Sequence, residues 1–333
     1  MIDYKLATTL FSERKILYVH GFASSGQSTT PQNLKILMPE AKIIAPDLPI
    51  EPFEAMDLLN DIITKEKPSL IIGTSMGGMY AQMLYNVDRI LVNPAFEIAA
   101  TMISNNMVGK VNFFNPRKDG ATDFIVTKSL VQRYKEVSEQ CFKQVSSDKA
   151  LVYGLFGKHD PMVHTFDVFN KYYNNAIYFE GEHRLDEHVI LHSLLPIIRW
   201  IDDKQTCKEK EILYLRMEDT LFNDSEPQSD AVKCVEFLTN FYKVYFLCEG
   251  RTNSRQEILN KYNLIEKYFG VNAYDRVVFA NNCATLYGDY LISASKTNNE
   301  ENFLGTFLNF KQEPLKTWSE VITYFKRLNG IEV

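Results

Sequence analysis

The chain has few cysteines, no long apolar run and no surplus of basic residues, and each shortage excludes a class of protein. Cys141, Cys207, Cys234, Cys248 and Cys283 are five in number and contain no C-x-x-C pair. An odd, scattered set is neither a disulfide framework nor a zinc site, so a reducing compartment is expected. The most hydrophobic stretch, Leu70 to Val87, is broken by Gly73, Thr74, Ser75, Gly77, Gly78 and Gln82, so no membrane-spanning helix is expected. The N-terminal segment carries Asp3 where a secretory signal would be basic. A cytoplasmic location follows as the expectation. With 36 basic against 42 acidic residues the net charge is −6, and no Lys/Arg cluster offsets it. Counterion-driven binding to nucleic acid is therefore not expected.

The 333 residues suit two domains of ordinary size, and 45% hydrophobic with 23% charged residues is the usage of a chain with a sizeable core. Short apolar runs occur at Lys15–His20, Lys42–Ala45, Ser69–Gly73, Arg89–Val92, Ala150–Phe156 and Ala176–Phe179. Helical patterns separate them, and a final helix is expected over Glu187–Ile201. That alternation predicts βαβ units and a parallel sheet. Between Ala95 and Lys149 the strand signals vanish while Phe113, Phe114, Phe124 and Tyr134 stand among polar residues. An insertion of that length is expected to be a functional cap. After a charged linker, Asp202 to Lys210, the alternation resumes with strands expected near Glu211–Leu215, Lys243–Leu247, Arg276–Phe279 and Gly288–Ile292, and helices near Ser229–Asn240 and Ser254–Tyr268. The expected domains are 1–205, with a cap at about 97–148, and 206–333.

Gly73-Thr-Ser75-Met-Gly77 follows a predicted strand and opens a predicted helix. A serine hydroxyl is a weak nucleophile unless it is exposed, oriented and beside a base. A sharp strand-to-helix turn exposes it, tolerates only small neighbours, and aims the Met76 amide at a developing oxyanion. A Gly/Ser-rich packing turn is the plainer reading of the same residues. In the chain order Ser, acid, His, Asp160 follows the run ending at Phe156 and His183 follows the run ending at Phe179. Asp160 would then hold the His183 imidazole in its working tautomer, although an Asp before Pro161 is also a helix-start residue. His188 and His192 are spaced like two ligands on one helical face but lack the glutamate of H-E-x-x-H, and His159 and His164 read as pocket or surface residues. The loop His20-Gly-Phe22-Ala23 would supply the second oxyanion amide, from Phe22 or alternatively Ala23, with His20 itself structural.

Together with Pro46-Asp-Leu-Pro49, Leu91-Val-Asn-Pro-Ala95 and Glu180-Gly-Glu-His183, these motifs resemble the α/β-hydrolase family and, within it, the small YqiA-type esterases, over roughly Lys15 to Ile201. The resemblance implies a carboxylesterase or thioesterase that needs no cofactor or metal and acts on a small-molecule acyl ester or thioester. The cap is longer than in compact members, and Phe113, Phe114 and Tyr134 are expected to form an apolar substrate pocket, with core packing as the competing role.

The second half resembles a haloacid-dehalogenase (HAD) phosphatase of the nucleotidase-like branch, over roughly Glu211 to Tyr324, on Glu211-Ile-Leu-Tyr-Leu-Arg216-Met-Glu218-Asp219, Gly288-Asp-Tyr-Leu-Ile292 and Phe303-Leu-Gly-Thr-Phe307. That family uses two aspartates two residues apart, and Arg216 and Glu218 stand in those places. A guanidinium cannot form an acyl-phosphate and would repel Mg²⁺. Ser293-Ala294 replaces the later acidic pair, and the lysine expected near Asn282 or Cys283 is absent. The expected fold class is α/β throughout: a hydrolase sheet with a helical cap insertion, then a smaller Rossmann-like HAD-type domain that has lost its catalysis and serves a structural or regulatory role. A non-catalytic ligand-binding protein and a HAD-type phosphatase are the alternatives, and a homo-oligomer is compatible with each of these readings.

Overall fold

The computed structural model describes residues 9–145, 149–250 and 254–332. Contacts divide the chain into two compact units that part between Asp202 and Asp203.

The first unit is built on β1 (Lys15–Val19), β2 (Lys42–Ile44), β3 (Leu70–Thr74), β4 (Asp88–Val92), β7 (Val152–Gly157) and β8 (Ala176–Phe179). They form one sheet in the order β2-β1-β3-β4-β7-β8, and every neighbouring pair is parallel. Ile16, Leu17, Val19, Leu70, Ile71, Ile72, Ile90 and Leu91 are fully buried, as strands covered on both faces require. The covering helices are α1 (Thr29–Leu37), α2 (Pro52–Glu66), α3 (Met76–Gln82), α6 (Phe166–Asn170), and α7 (Glu187–Val189), which runs through a π-helical turn at Ile190–Leu194 into α8 (Leu195–Gln205). Glu51 caps α2 through the Glu54 amide, and Pro52 stands at its first turn, where a missing N–H costs nothing. The chain runs from β1 outward to β2, crosses back to β3, and then adds β4, β7 and β8 in sequence order.

The segment between β4 and β7 contains α4 (Ile98–Ser104) and α5 (Lys128–Ser138), as a helical cap requires, but also an antiparallel hairpin of β5 (Gly109–Asn112) and β6 (Asp123–Val126). The cap is therefore mixed rather than helical alone, and the absence of strand signal before Lys149 was misleading. Each strand has four residues, and they pair only with each other, so neither carries the apolar run of a sheet interior.

The second unit holds a five-stranded, wholly parallel sheet in the order β13-β12-β9-β14-β15. Its strands are β9 (Ile212–Arg216), β12 (Lys243–Glu249), β13 (Val277–Ala280), β14 (Tyr290–Ser293) and β15 (Thr306–Asn309). A small hairpin joins β10 (Phe222–Asn223) to β11 (Glu226–Pro227), and α9 (Ala231–Leu238), α10 (Arg255–Phe269) and α11 (Trp318–Leu328) complete the unit. The sequence reading passed over α11. Thr317 and Glu320 form a reciprocal capping box at its start, and Trp318, Val321 and Phe325 face the core. Among the described residues no helix is long and apolar enough to cross a membrane.

Candidate active site

Four loops leave the C-terminal ends of neighbouring parallel strands, where ligands of open α/β sheets sit. Ser75 follows β3 at φ 54°, ψ −119°, a conformation that side chains rarely adopt and that a surrounding structure must enforce. Crowding explains the flanking glycines. A Cβ on Gly77 would lie 2.0 Å from the Val19 carbonyl oxygen, and one on Gly73 would lie 2.4 Å from the Gly77 carbonyl oxygen. The Ser75 amide donates to the Val92 carbonyl at 2.9 Å, and the Ser75 carbonyl accepts from Ala95 at 3.0 Å. The serine is thereby locked between β3 and the end of β4.

His183 lies after β8, and its Nε2 is 3.0 Å from Ser75 Oγ. Its Nδ1 is 2.7 Å from Asp160 Oδ2, in the loop after β7. Asp160 Oδ1 accepts from the amides of Met162 at 2.8 Å and Val163 at 3.1 Å. Burial opposes ionisation of this carboxyl, but the His183 hydrogen bond and the two amides outweigh it and hold Asp160 below the usual carboxylate range. An ionised Asp160 accepts from Nδ1–H, which leaves Nε2 with its lone pair toward the serine. Asp160 is buried and His183 is partly exposed.

The other histidines sit elsewhere. His159 is exposed and bonds Glu180 at 3.1 Å, and His164 is exposed. The His188 and His192 ring centroids lie 4.2 Å apart with the planes tilted by 40°. Among the described residues no group of three or more His, Cys, Asp or Glu side chains is arranged to hold a metal ion. His20 is buried behind the loop after β1.

That loop runs against the serine: a Cβ on Gly21 would meet Ser75 Cβ at 3.3 Å. Ala23 has φ 55°, and its carbonyl accepts from the Phe114 amide at 2.8 Å. Met76 opens α3, so its amide belongs to the first N–H groups of a helix, which have no intrahelical acceptor. The cap fastens to the same loop at further points. Asn115 Nδ2 donates to Ser24 Oγ at 3.1 Å, and Asp47 accepts from the Gly26 amide at 2.8 Å and the Lys118 amide at 2.7 Å. Arg117 donates to the Leu48 carbonyl at 3.2 Å.

The three cap aromatics have different surroundings. Phe114 is 66% exposed, with the Arg184 guanidinium 5.4 Å from its ring. Phe113 is half-buried against Phe124, whose ring lies 5.4 Å from that of Phe22. Tyr134 is a core residue, fully buried, with its hydroxyl donating to the Ile50 carbonyl at 2.9 Å and its ring edge-on to Phe22.

In the second unit, Arg216 ends β9 with its guanidinium buried and its donors taken within the chain. Nε bonds Glu218 at 2.7 Å and Nη1 bonds Glu300 at 3.2 Å. With its amide turned to satisfy both groups, Asn298 accepts from both terminal nitrogens at 2.8 and 2.7 Å. Burial opposes ionisation of Glu218, yet Arg216, the Glu249 amide and Lys261 outweigh it and keep the carboxyl low. Lys261 reaches Glu218 from α10 at 3.0 Å, so an ammonium stands beside this cluster. Sequence reasoning missed Lys261, which lies on the helix expected near Ser254–Tyr268, and Glu300, which lies in a polar stretch. Asp289 accepts from the Ile212 amide at 2.7 Å and ties β14 to β9, and the Ala294 amide donates to Thr220. Asp219 lines a cavity of about 410 Å³ with Glu218, Phe222, Glu257, Lys261 and Leu264.

Over 109 residues the chain is 25% identical to a protein provisionally named a 5'(3')-deoxyribonucleotidase, from Vibrio phage KVP40. The match takes in 33% of this chain and 64% of the phage protein's length. Among solved structures, a monoacylglycerol lipase of Paleococcus ferrophilus is 16% identical with a TM-score of 0.42, covering 57% of this chain and 94% of the lipase. Est1E from Butyrivibrio proteoclasticus is 17% identical with a TM-score of 0.42, covering 59% and 89%. A family model matches the first unit across β1 to β8 and the loops that carry Ser75, Asp160 and His183. That match spans residues 15–189, more than half of the chain, and the chain belongs to the uncharacterised protein family UPF0227.

Proposed function

We propose that the first unit is a serine hydrolase that cleaves a carboxylic ester or thioester. One observation carries the reading: the unbroken line from Ser75 Oγ through His183 to Asp160, at 3.0 and 2.7 Å. In the proposed reaction His183 Nε2 takes the Ser75 proton as Oγ attacks the acyl carbonyl carbon. Asp160 stabilises the imidazolium without taking its proton. The Met76 amide, with that of Phe22 or Ala23, holds the oxyanion of the tetrahedral intermediate. His183 then protonates the departing alkoxide or thiolate, and an acyl-Ser75 remains. Water, deprotonated by the same nitrogen, attacks that acyl group; His183 then returns the proton to Ser75 Oγ as the acyl–Oγ bond breaks and the carboxylic acid leaves. Each step uses side chains and amides of this chain, and none calls on a cofactor.

Phe113 and Phe114 are the proposed contacts of the acyl group. The test is a fluorophosphonate probe on the full chain beside its Ser75→Ala variant. Labelling of a single serine and ester hydrolysis should both vanish in the variant. Labelling that persists removes Ser75 as nucleophile, and a silent wild-type protein leaves a ligand-binding role.

The second unit is proposed to be a HAD-like domain without phosphatase activity. The Arg216–Glu218–Glu300 cluster supports this, because a buried cation stands where the nucleophile and its metal would be needed. The phage relative favours the opposite reading, so nucleotide phosphate release with Mg²⁺, measured on the full chain, separates them. Mg²⁺-dependent turnover would make the domain a phosphatase.

A further inference from the structure

Asn93 follows the last residue of β4 at φ 43°, a left-handed conformation that asparagine tolerates better than most residues. It is 2% exposed, and its polar groups are spent on loops far away in sequence. Nδ2 donates to the carbonyls of Glu182 at 3.0 Å and His183 at 3.1 Å. Oδ1 accepts from the Gly157 amide at 2.8 Å. The Asn93 amide donates to the Leu155 carbonyl at 2.8 Å. Gly157 is the last residue of β7, directly before the loop that carries Asp160, and Glu182–His183 lies in the loop that carries the imidazole.

Its neighbours extend the pattern. Val92 and Ala95 hold the backbone of Ser75 on both sides, and the Pro94 carbonyl accepts from Thr165 Oγ1 at 2.6 Å, just beyond the Asp160 loop. The acid and base loops also press on each other. The His159 amide donates to the Gly181 carbonyl at 3.0 Å, and a Cβ on Gly157 would lie 2.5 Å from the Glu182 carbonyl oxygen. One turn after β4 is thus bonded to the nucleophile, acid and base segments. Only a carboxamide offers two donors and an acceptor in this plane while accepting a positive φ.

We propose that Asn93 is a positioning residue, which sets His183 relative to Asp160 and Ser75 by holding the two loops in register. The proposal rests on the hydrolase reading above. Displacing a catalytic group by about 1 Å costs on the order of 10²-fold in rate, so the clamp would act on turnover rather than on substrate binding.

The experiment follows hydrolysis of p-nitrophenyl butyrate by the full chain. Asn93→Asp keeps the size and the tolerance of positive φ, removes both donors and turns a carboxylate toward two carbonyl oxygens. Its kcat should fall about 10- to 100-fold while KM stays within about 3-fold. In a His183→Ala background the same change should cost less than about 3-fold, because nothing is left for it to place. Gly157→Ala, which pushes on the Glu182 carbonyl from the other side, should give the same pattern and serves alone if Asn93→Asp does not fold. A kcat within 3-fold of wild type, or a loss repeated in full without His183, overturns the proposal. Hydrolysis and probe labelling that survive Ser75→Ala overturn the hydrolase reading itself, an outcome distinct from a Ser75 enzyme indifferent to Asn93.

Discussion

The Leu48 amide donates to His20 Nε2 at 3.0 Å, and this contact decides the protonation of a buried ring. Nε2 must carry a lone pair, so the proton sits on Nδ1, which bonds the Gly21 carbonyl at 2.8 Å. Burial lowers the pKa to about 4, against the upward pull of Gly21 and Asp47 and with a smaller downward push from Arg117. The unfolded chain, titrating near 6.5, binds a proton that the folded chain refuses. Stability supplied by neutral His20 is therefore present above about pH 6.5 and is lost as pH falls toward 4, by at most about 3 kcal/mol. His20→Gln should be less stable at pH 7 by about 1–3 kcal/mol and should show a flatter pH dependence. Urea unfolding between pH 4 and 7 checks this; two parallel stability curves would contradict it.

Among the described residues, His183 is the histidine that reaches both Ser75 and Asp160. His183→Ala should lower turnover by about 10³-fold or more, and His188→Ala should stay within about 3-fold. Steady-state hydrolysis of a short ester compares them directly. A larger loss from His188→Ala would move the base from the loop after β8 to α7.

Phe114 and Tyr134 should separate specificity from stability. Shortening exposed Phe114 to Ala should shift the chain-length preference across a series of acyl esters. Tyr134→Phe orphans the Ile50 carbonyl and should cost about 1 kcal/mol without moving that preference. An unchanged profile in Phe114→Ala would take the cap rim out of substrate recognition.

Arg216 is buried against Glu300, which is itself wholly buried. Arg216→Met strands that carboxylate and should destabilise the second unit by about 3–5 kcal/mol. Adding Glu300→Gln should recover part of the loss, since Gln retains the acceptor for the Asn298 amide. Denaturant unfolding of the full chain, followed by a probe in the second unit, measures both. A loss under about 1 kcal/mol for Arg216→Met would mean the cluster is not a structural element.

Local chemistry made much of this molecule legible. The runs at Lys15–His20, Ser69–Gly73 and Arg89–Val92 read as strands because both sheet faces are covered, which leaves a near-continuous apolar signature. Gly73, Ser75 and Gly77 read as a crowded strand-to-helix turn because the crowding involves adjacent residues. The hairpin at Gly109–Val126 left no such trace, since its short strands bury little. What only tertiary structure decided is which groups meet. Asn93 looked like the end of a strand before a proline, yet it bonds Gly157 and Glu182, 64 and 89 residues away. Glu300, in a run of polar residues, is buried on Arg216 across 84 residues. Periodicity records the face that a residue turns to its own element's core. A hydrogen bond between distant loops has no period, and its partners become visible only when the strands that carry them are laid side by side.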